Sequence, residues 1–327
     1  MHAPPIWRQI QRRNFTDWKP LLSFLELSID GNTPILAEPQ FPLNLPERIA
    51  QKMEKGNWQD PLLLQFLPTR QELNRDSTFS LDPVQDMQIR KTPKLLHKYH
   101  GRALLVCTSA CAMNCRFCFR QHFDYEREDK SFDAEIEAIS EDTSLSEIIL
   151  SGGDPLSLSD QVLSALIQRL SQIPHLKRLR FHTRFPIGIP ERIEDSFLSI
   201  LRSTRLQTFF VIHCNHPQEL DAEILASLKK IQQSGCPVLC QSVLLKGVND
   251  DLETLQMLCE RLINAGIIVY NLNQLDRVQG ATHFEVPIAT GISLVNQLRT
   301  LLPGYGVFSY VADIPTNQMS KTSLMLC

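Results

Sequence analysis

The sequence predicts an α/β protein whose core is a partial (β/α)6 TIM-like barrel with an N-terminal helical extension. From about residue 102 the chain alternates strand-like and helix-like segments with short connections, which indicates a parallel sheet with right-handed crossovers. This alternation fits an open doubly wound sheet as well as a curved barrel. Polar residues that directly follow the strands favour the barrel, because barrel chemistry collects at the carboxyl ends of strands. They are the loop at 108–118, Gly152–Asp154, Thr183–Arg184, His213–Asn215, Gln241 and Asp276.

Each strand and helix rests on a local pattern. Compact runs rich in apolar residues predict strands at 102–107, 147–153, 176–183, 208–214, 238–245 and 267–275, with a final extended run at 307–314. Apolar residues at helical spacing predict helices at 159–173, near 191–202, at 221–235 and 252–266, and near 291–302. In the first of these helices, one face carries Val162, Leu163, Leu166, Ile167 and Leu170. Ser159 and Asp160 are suited to cap its N-terminus.

Three regions follow from these patterns. Residues 1–95 are rich in proline and contain short helix-like pieces, which predict a mainly helical extension that packs on the barrel. Residues 96–285 are predicted to form the barrel core. Residues 286–327 are predicted to form a C-terminal segment. We find no obvious chemistry in the extension.

Composition excludes several classes of function. The chain has 327 residues, of which 43% are apolar, and a formal net charge of −3. It therefore has no overall attraction for nucleic acid or anionic membranes, and its basic runs are short. The start of the chain lacks the apolar stretch of a secretory signal, and no apolar run is long enough to span a membrane. With nine cysteines, these features predict a soluble cytoplasmic protein in a reducing compartment.

Three cysteines form the most informative motif. Cys111, Cys115 and Cys118 lie in the run CAMNCRFCFR, spaced by three and then two residues. Zinc sites more often use paired CxxC units or Cys/His sets that supply four ligands, and no such pair lies nearby. Three thiolates on a tight loop instead hold three corners of an iron–sulfur cluster. The fourth iron is then open to a ligand.

A second motif, Ser151 to Pro155, follows the next strand. Gly152 and Gly153 permit close approach of a backbone, and exposed amides at this point can bind a charged amino-acid group. An ordinary βα turn is the better explanation of this motif when it is taken alone.

The two motifs together resemble the radical S-adenosylmethionine (SAM) superfamily, which implies a partial barrel of the radical SAM type. Longer segments narrow the resemblance to the lysine 2,3-aminomutase family over roughly residues 95–326. They are KYHGRALLVC (98–107), IHCNHPQEL (212–220), QSVLLKGVND (241–250), HFEVP after Asp276, and Lys321. The N-terminal segment resembles the branch that serves elongation factor P (EF-P). The implied activity is isomerisation of L-α-lysine to β-lysine by 2,3-amino migration, for the modification of EF-P.

The resemblance also implies roles for individual residues. The three cysteines would bind a 4Fe-4S cluster that chelates SAM, and Lys321 would be the catalytic lysine that binds pyridoxal 5′-phosphate (PLP). The residues implied around SAM are Gly152, Gly153, Asp154, His213 and Gln241, and those implied around PLP are Lys98, Tyr99 and Arg102. Lys98 stands where the family more often has arginine. The turn at 316–320 before Lys321 lacks the glycines of its relatives.

A bound lysine needs a cation for its carboxylate and one or two anions for its distal ammonium group. Arg120 matches the carboxylate clamp of the family, and a guanidinium group suits this bidentate task. Asp276 matches the ammonium partner. Asp313 is the second candidate, although its spacing to Lys321 is one residue longer than in the aminomutases.

Two other functions remain open at this point: an aminomutase for another amino acid, such as glutamate, or a radical SAM enzyme without PLP that modifies RNA. Asp276 would repel a substrate carboxylate, and the absence of a basic patch opposes RNA. The implied partners are an electron donor such as flavodoxin or ferredoxin, and EF-P with its lysine ligase. A homo-oligomer is left open. We expect no zinc site, because the chain ends at Cys327, before the cysteine-rich extension of some relatives.

Overall fold

The structure is a computed structural model that describes residues 4–30, 33–126, 131–313 and 322–324. Within these residues, ten strands form one sheet in which the spatial order of the strands is their order along the chain. The strands are β1 (Arg90–Thr92), β2 (Leu95–Tyr99), β3 (Arg102–Val106), β4 (Glu147–Ser151), β5 (Arg178–Thr183), β6 (Gln207–His213), β7 (Val238–Val243), β8 (Ile268–Asn273), β9 (Ser309–Ala312) and β10 (Thr322–Ser323).

The strands from β3 to β9 pair in parallel, whereas β1 and β2 at one edge and β10 at the other pair antiparallel. Among the described strands, β3 and β9 do not pair with each other, so the parallel part does not close into a complete barrel. The predicted partial barrel is confirmed, and the final extended run joins it as β9.

Helices connect the parallel strands. The described helices are α1 (Ile6–Gln11), α2 (Trp18–Phe24), α3 (Glu47–Ala50), α4 (Pro61–Phe66), α5 (Asp133–Glu141), α6 (Asp160–Ser171), α7 (Phe185–Gly188), α8 (Asp195–Ser203), α9 (Ala222–Gln233), α10 (Leu252–Asn264) and α11 (Ile288–Leu301). Each of α5, α6, α8, α9, α10 and α11 follows one parallel strand and precedes the next, which gives the six predicted βα units. None of the described helices combines the length and hydropathy that a membrane crossing requires.

Helices α2, α4, α6, α9 and α10 begin at a residue whose side chain caps the N-terminus. Asp221 accepts the amide of Ile224 at 2.8 Å at the start of α9, and Asp251 accepts the amide of Thr254 at 2.8 Å at the start of α10. On α6 the predicted apolar face is buried except for Val162, which is 39% exposed. Val162 precedes Leu163, and neighbouring residues are rotated about 100° around a helix, so this side chain lies at the margin of the buried face.

Residues on the strands alternate between the helical layer and the interior of the barrel. On β5, Leu179 and Phe181 are buried away from the internal cavity, whereas Arg180 and His182 line it. Phe181 stacks on Phe210 of β6 with ring centroids 4.8 Å apart. Burying each such ring contributes about 1.5–3 kcal/mol. The apolar core therefore lies behind the sheet, and polar side chains are left for the interior.

The sequence patterns did not predict helices α5 and α7, the antiparallel pair of β1 with β2, or strand β10. The sheet begins at Arg90, so the boundary that we placed between residues 95 and 96 falls inside β2. The extension before the sheet contains α1 to α4 and packs into the same core as the barrel.

Candidate active site

One cavity of about 490 Å³ lies at the carboxyl ends of the parallel strands. Every predicted site residue that the structure describes lines this cavity: Lys98, Tyr99, Arg102, Cys111, Cys115, Cys118, Arg120, Gly152, Gly153, Asp154, His213, Gln241, Asp276 and Asp313. Lys321, the proposed PLP lysine, lies outside the described residues, as do the turn at 316–320 and Cys327.

The loop that carries the three cysteines (residues 108–118, the cysteine loop) follows β3 and is anchored by the N-terminal extension. Gln11 and Asn44 each donate a side-chain amide to the carbonyl oxygen of Cys111 at 3.2 Å. Asn14 donates to the carbonyl oxygen of Ala112 at 2.8 Å. The extension, to which we assigned no chemistry, therefore fixes the backbone that carries the first cysteine.

Arg116 anchors the middle of the same loop. Its side chain is buried, and its guanidinium group donates to Glu72 through Nε at 2.8 Å and through Nη2 at 2.5 Å. Its Nη1 donates to the carbonyl oxygen of Phe41 at 2.7 Å. This bidentate geometry fixes the loop between Cys115 and Cys118.

The thiols lie in an environment that disfavours a free thiolate. Burial raises the pKa of Cys111, Cys115 and Cys118, to about 11 for Cys118. A bound metal reverses this effect, because a coordinated thiol is deprotonated. In the described ranges, no group of three or more His, Cys, Asp or Glu side chains is placed to hold a single metal ion. A cluster gives each thiolate its own iron atom, so this three-thiol donor set fits an iron–sulfur cluster.

The two glycines after β4 let the cysteine loop lie directly on the end of that strand. Gly152 has a φ of +114°, and a Cβ there would lie 2.7 Å from the carbonyl oxygen of Thr108. A Cβ on Gly153 would lie 2.4 Å from the carbonyl oxygen of Ala110. The amides of Gly153 and Asp154 donate to these same two carbonyls at 2.6 and 2.7 Å. Our expectation that these amides are exposed for a ligand is wrong for this pair, because the loop already binds them.

Asp154 ties the end of β4 to the end of β5. Its carboxylate accepts the hydroxyl of Thr183 at 2.8 Å and the amides of Leu156, Arg184 and Phe185 at 2.8 to 3.0 Å. Burial raises the pKa of Asp154 to about 6, while these donors favour the ionised form. At neutral pH the carboxylate is therefore an ionised structural anchor beneath the cysteine loop.

Two buried charges next to the cysteines were not predicted as site residues. Arg184 follows β5, and its Nη1 lies 2.7 Å from the sulfur of Cys115. Its Nη2 donates to Glu219 and Gln65, both at 2.7 Å. The position of Arg184 directly after a strand was the available signal, but the sequence does not indicate which side chain it contacts.

Arg120 is also paired within the protein. Its Nε donates to Asp86 at 2.7 Å, and its Nη1 lies 3.4 Å from the hydroxyl of Ser151. Both charged side chains are buried. The sequence patterns did not single out Asp86. Its pairing holds the guanidinium group at the wall of the cavity that Asp276 also lines.

Lys98, Tyr99 and Asp313 form a further cluster. The ammonium group of Lys98 lies 2.5 Å from one oxygen of Asp313, and the hydroxyl of Tyr99 donates to the other at 3.1 Å. Burial and the Asp313 charge raise the pKa of Tyr99, so the phenol stays protonated. Arg102 stacks on the Tyr99 ring at 4.7 Å. The resemblance assigned Asp313 and Lys98 to different ligands, but the structure joins them directly.

His213 and Gln241 are neighbours in the sheet, because they are paired residues of the parallel strands β6 and β7. The His213 ring stacks on Phe117 with centroids 5.6 Å apart. Burial lowers the pKa of His213 well below its usual value, so the imidazole is neutral. Its Nε2 is buried and has no hydrogen-bond partner in the described part of the chain. A polar ligand such as SAM would satisfy this atom.

A partial barrel with three cysteines after its first parallel strand is the arrangement of a radical SAM enzyme, and the Radical SAM superfamily matches residues 105–258. The chain is 42% identical to the L-lysine 2,3-aminomutase of Haemophilus influenzae over 94% of this chain and 92% of that protein. It is 40% identical to the L-lysine 2,3-aminomutase of Escherichia coli over 92% and 89% of the two chains. A radical SAM methyltransferase from Sphaerobacter thermophilus aligns with a TM-score of 0.46 and 19% identity over 67% of each chain. The chain belongs to the L-lysine 2,3-aminomutase family and is a radical SAM isomerase.

Proposed function

We propose that this protein converts L-α-lysine to β-lysine, with PLP as a cofactor beside the 4Fe-4S cluster and SAM. The observation that carries this proposal is the placement of the three thiols, Arg120 and Asp276 around a single cavity. The names of the family members support lysine as the substrate. When bound, the cluster supplies the electron that cleaves SAM, and PLP supplies a conjugated system that stabilises an unpaired electron.

The side chains of the cavity orient the substrate by charge. We assign the substrate carboxylate to Arg120, whose orientation Asp86 fixes through the 2.7 Å bond to Nε. We assign the distal ammonium group to Asp276, with Asp313 as the second anion. A cation and anions at the walls of the same cavity match the opposite charges at the two ends of lysine.

The residues proposed around PLP carry the charge that its phosphate needs. Lys98 and Arg102 both lie against the Tyr99 ring, at 5.8 and 4.7 Å from its centroid. Lys321 is the proposed covalent attachment point. We assign the SAM environment to His213 and Gln241, and to the strand end formed by Gly152, Gly153 and Asp154.

We further propose that the β-lysine is used to modify EF-P in the cytoplasm, with flavodoxin or ferredoxin as electron donor. The N-terminal resemblance supports this branch of the family. All eight described cysteines are free thiols, which agrees with a reducing compartment. The test is to supply the β-lysine product to EF-P and its ligase and to measure the mass added to EF-P. An unmodified EF-P would reject this destination while leaving the isomerase activity in place.

The isomerase is tested on anaerobically reconstituted protein with SAM, reductant and L-lysine. We expect β-lysine, and no product from L-glutamate. Cys115→Ala should abolish SAM cleavage, whereas Cys236→Ala, at a buried cysteine outside the cavity, should retain it. Lys321→Ala should lose the visible absorbance of bound PLP. A protein with loaded cluster and PLP that makes no β-lysine would refute the proposal.

A further inference from the structure

Arg184 occupies an unusual position for a cation, because it is buried against a cluster cysteine. The side chain is 7% exposed, and its Nη1 lies 2.7 Å from the sulfur of Cys115. Its guanidinium carbon lies 4.9 Å from the ring centroid of Phe66 and 5.8 Å from that of Phe117. The sulfur of Cys115 therefore accepts a hydrogen bond from a guanidinium group, and aromatic rings shield this group from solvent.

The orientation of Arg184 is fixed by a second buried charge. Its Nη2 donates to Glu219, which is 0% exposed, and to the side-chain oxygen of Gln65, both at 2.7 Å. The other carboxylate oxygen of Glu219 accepts the backbone amides of Asn215 and His216 at 2.9 and 3.0 Å. Because Glu219 is held by the backbone, the guanidinium group has little freedom to turn away from Cys115.

A hydrogen bond from a cation to a ligating sulfur favours the cluster state with more negative charge. Reduction adds one electron to the cluster, and hydrogen bonds to the sulfurs are among the features that set cluster potentials. The effect is strong in a buried site, where electrostatic interactions are weakly screened. Glu219 acts in the opposite direction, because its negative charge lies on the far side of the same guanidinium group.

We propose that Arg184 is a positioning residue that raises the reduction potential of the cluster through Cys115, and that Glu219 limits this effect. The arrangement makes the one-electron reduction that precedes SAM cleavage easier. The inference rests on the proposed cluster site. It does not depend on the identity of the amino acid that the enzyme isomerises.

The test measures the midpoint potential of the cluster in anaerobically reconstituted full-length protein without SAM or lysine. Electron paramagnetic resonance monitors the reduced cluster during the titration. We expect Arg184→Gln to lower the midpoint potential by at least about 59 mV. For one electron, this shift corresponds to a tenfold change in the equilibrium constant for reduction. Arg184→Lys keeps the charge and should show a smaller decrease. Glu219→Gln should shift the potential upward.

Arg192→Gln is the matched control. Arg192 is also buried, but it donates to the carbonyl oxygens of Leu156 and Leu158, pairs with Asp160 and does not line the cavity. Its loss should reduce stability and leave the potential unchanged. Loosening of the fold alone would shift the Arg184 and Glu219 variants in the same direction.

An unchanged potential in Arg184→Gln with an intact cluster would overturn the proposal. Shifts of equal sign in the Arg184 and Glu219 variants would also overturn it. If Arg184→Gln does not take up a cluster, the signs measured for Arg184→Lys and Glu219→Gln decide the question. These potentials can be measured even if the wild-type enzyme forms no β-lysine. Failure of the proposed function can therefore be distinguished from failure of this inference.

Discussion

Lys98 and Asp313 pair at 2.5 Å, which joins β2 to the residue that follows β9, 215 positions later in the chain. Their side chains are 16% and 12% exposed, so each charge is largely withdrawn from water. Each of them therefore depends on the other for neutralisation. The residues implied to bind the PLP phosphate and the substrate ammonium thus form one electrostatic unit at the edge of the cavity.

This pairing predicts coupled effects on stability. Lys98→Met and Asp313→Asn should each lower the free energy of unfolding by about 1.5–3 kcal/mol, because each leaves a charge without its partner. The double variant should lose less free energy of unfolding than the sum of the two single losses. Urea denaturation of the wild type, both single variants and the double variant measures these losses. The exposed pair Lys55 and Glu26 is the control, with coupling close to zero. Additive losses at 98 and 313 would contradict the coupling.

Asp86→Asn tests how Arg120 is held. Because the carboxylate fixes the guanidinium through Nε, its neutralisation should raise the KM for lysine about tenfold, equivalent to about 1.4 kcal/mol, with a smaller change in kcat. Steady-state kinetics with lysine as the varied substrate measures both. Asp76→Asn, at an exposed aspartate, should leave both constants unchanged. Tighter lysine binding in Asp86→Asn would mean that Asp86 competes with the substrate carboxylate.

Gly153→Ala should displace the cysteine loop. The added Cβ would lie 2.4 Å from the carbonyl oxygen of Ala110, and backbone atoms cannot move aside as a flexible side chain can. We expect a loss of about 1–3 kcal/mol in stability and a lower iron content after reconstitution. Gly304→Ala is the matched control, because no atom lies within 4 Å of the position that its added methyl group would take. Normal iron content in Gly153→Ala would show that the loop tolerates the shift.

His283 should make stability depend on pH. Burial lowers its pKa to about 4, whereas an unfolded histidine titrates near 6.5. Between these pH values the unfolded chain binds more protons than the folded protein, so the free energy of unfolding rises with pH. The rise amounts to about 3 kcal/mol and is complete above pH 6.5. Denaturation curves from pH 4 to 7 should be flatter for His283→Gln. Identical slopes for the two proteins would exclude this histidine as the cause.

Local patterns were sufficient for most of the barrel. Strands such as β4 are continuous apolar runs between polar turns, and helices such as α10 combine a capping residue with an apolar face. Helix α5 was missed because its buried residues are only Glu135 and Ile139, which form no apolar stripe. Strand β1 consists of Arg90, Lys91 and Thr92, and it is a strand only because β2 pairs with it.

The sequence predicted those site residues that lie close together in a characteristic spacing, such as the three cysteines. The partners of these residues were not predictable. Arg120 pairs with Asp86 across 34 positions, and Arg184 reaches Cys115 across 69. No local pattern encodes such pairs, because the packing of separate strands and helices decides which charges meet.

The anchoring of the cysteine loop by the extension has a consequence for biosynthesis. The chain leaves the ribosome from its N-terminus, so Gln11, Asn44 and Glu72 emerge before the loop whose backbone and Arg116 they bind. The donors that shape the loop are thus available when its first cysteine appears. We therefore expect iron delivery to the newly made chain to depend on Gln11, Asn44 and Glu72, none of which is among the three proposed cluster ligands.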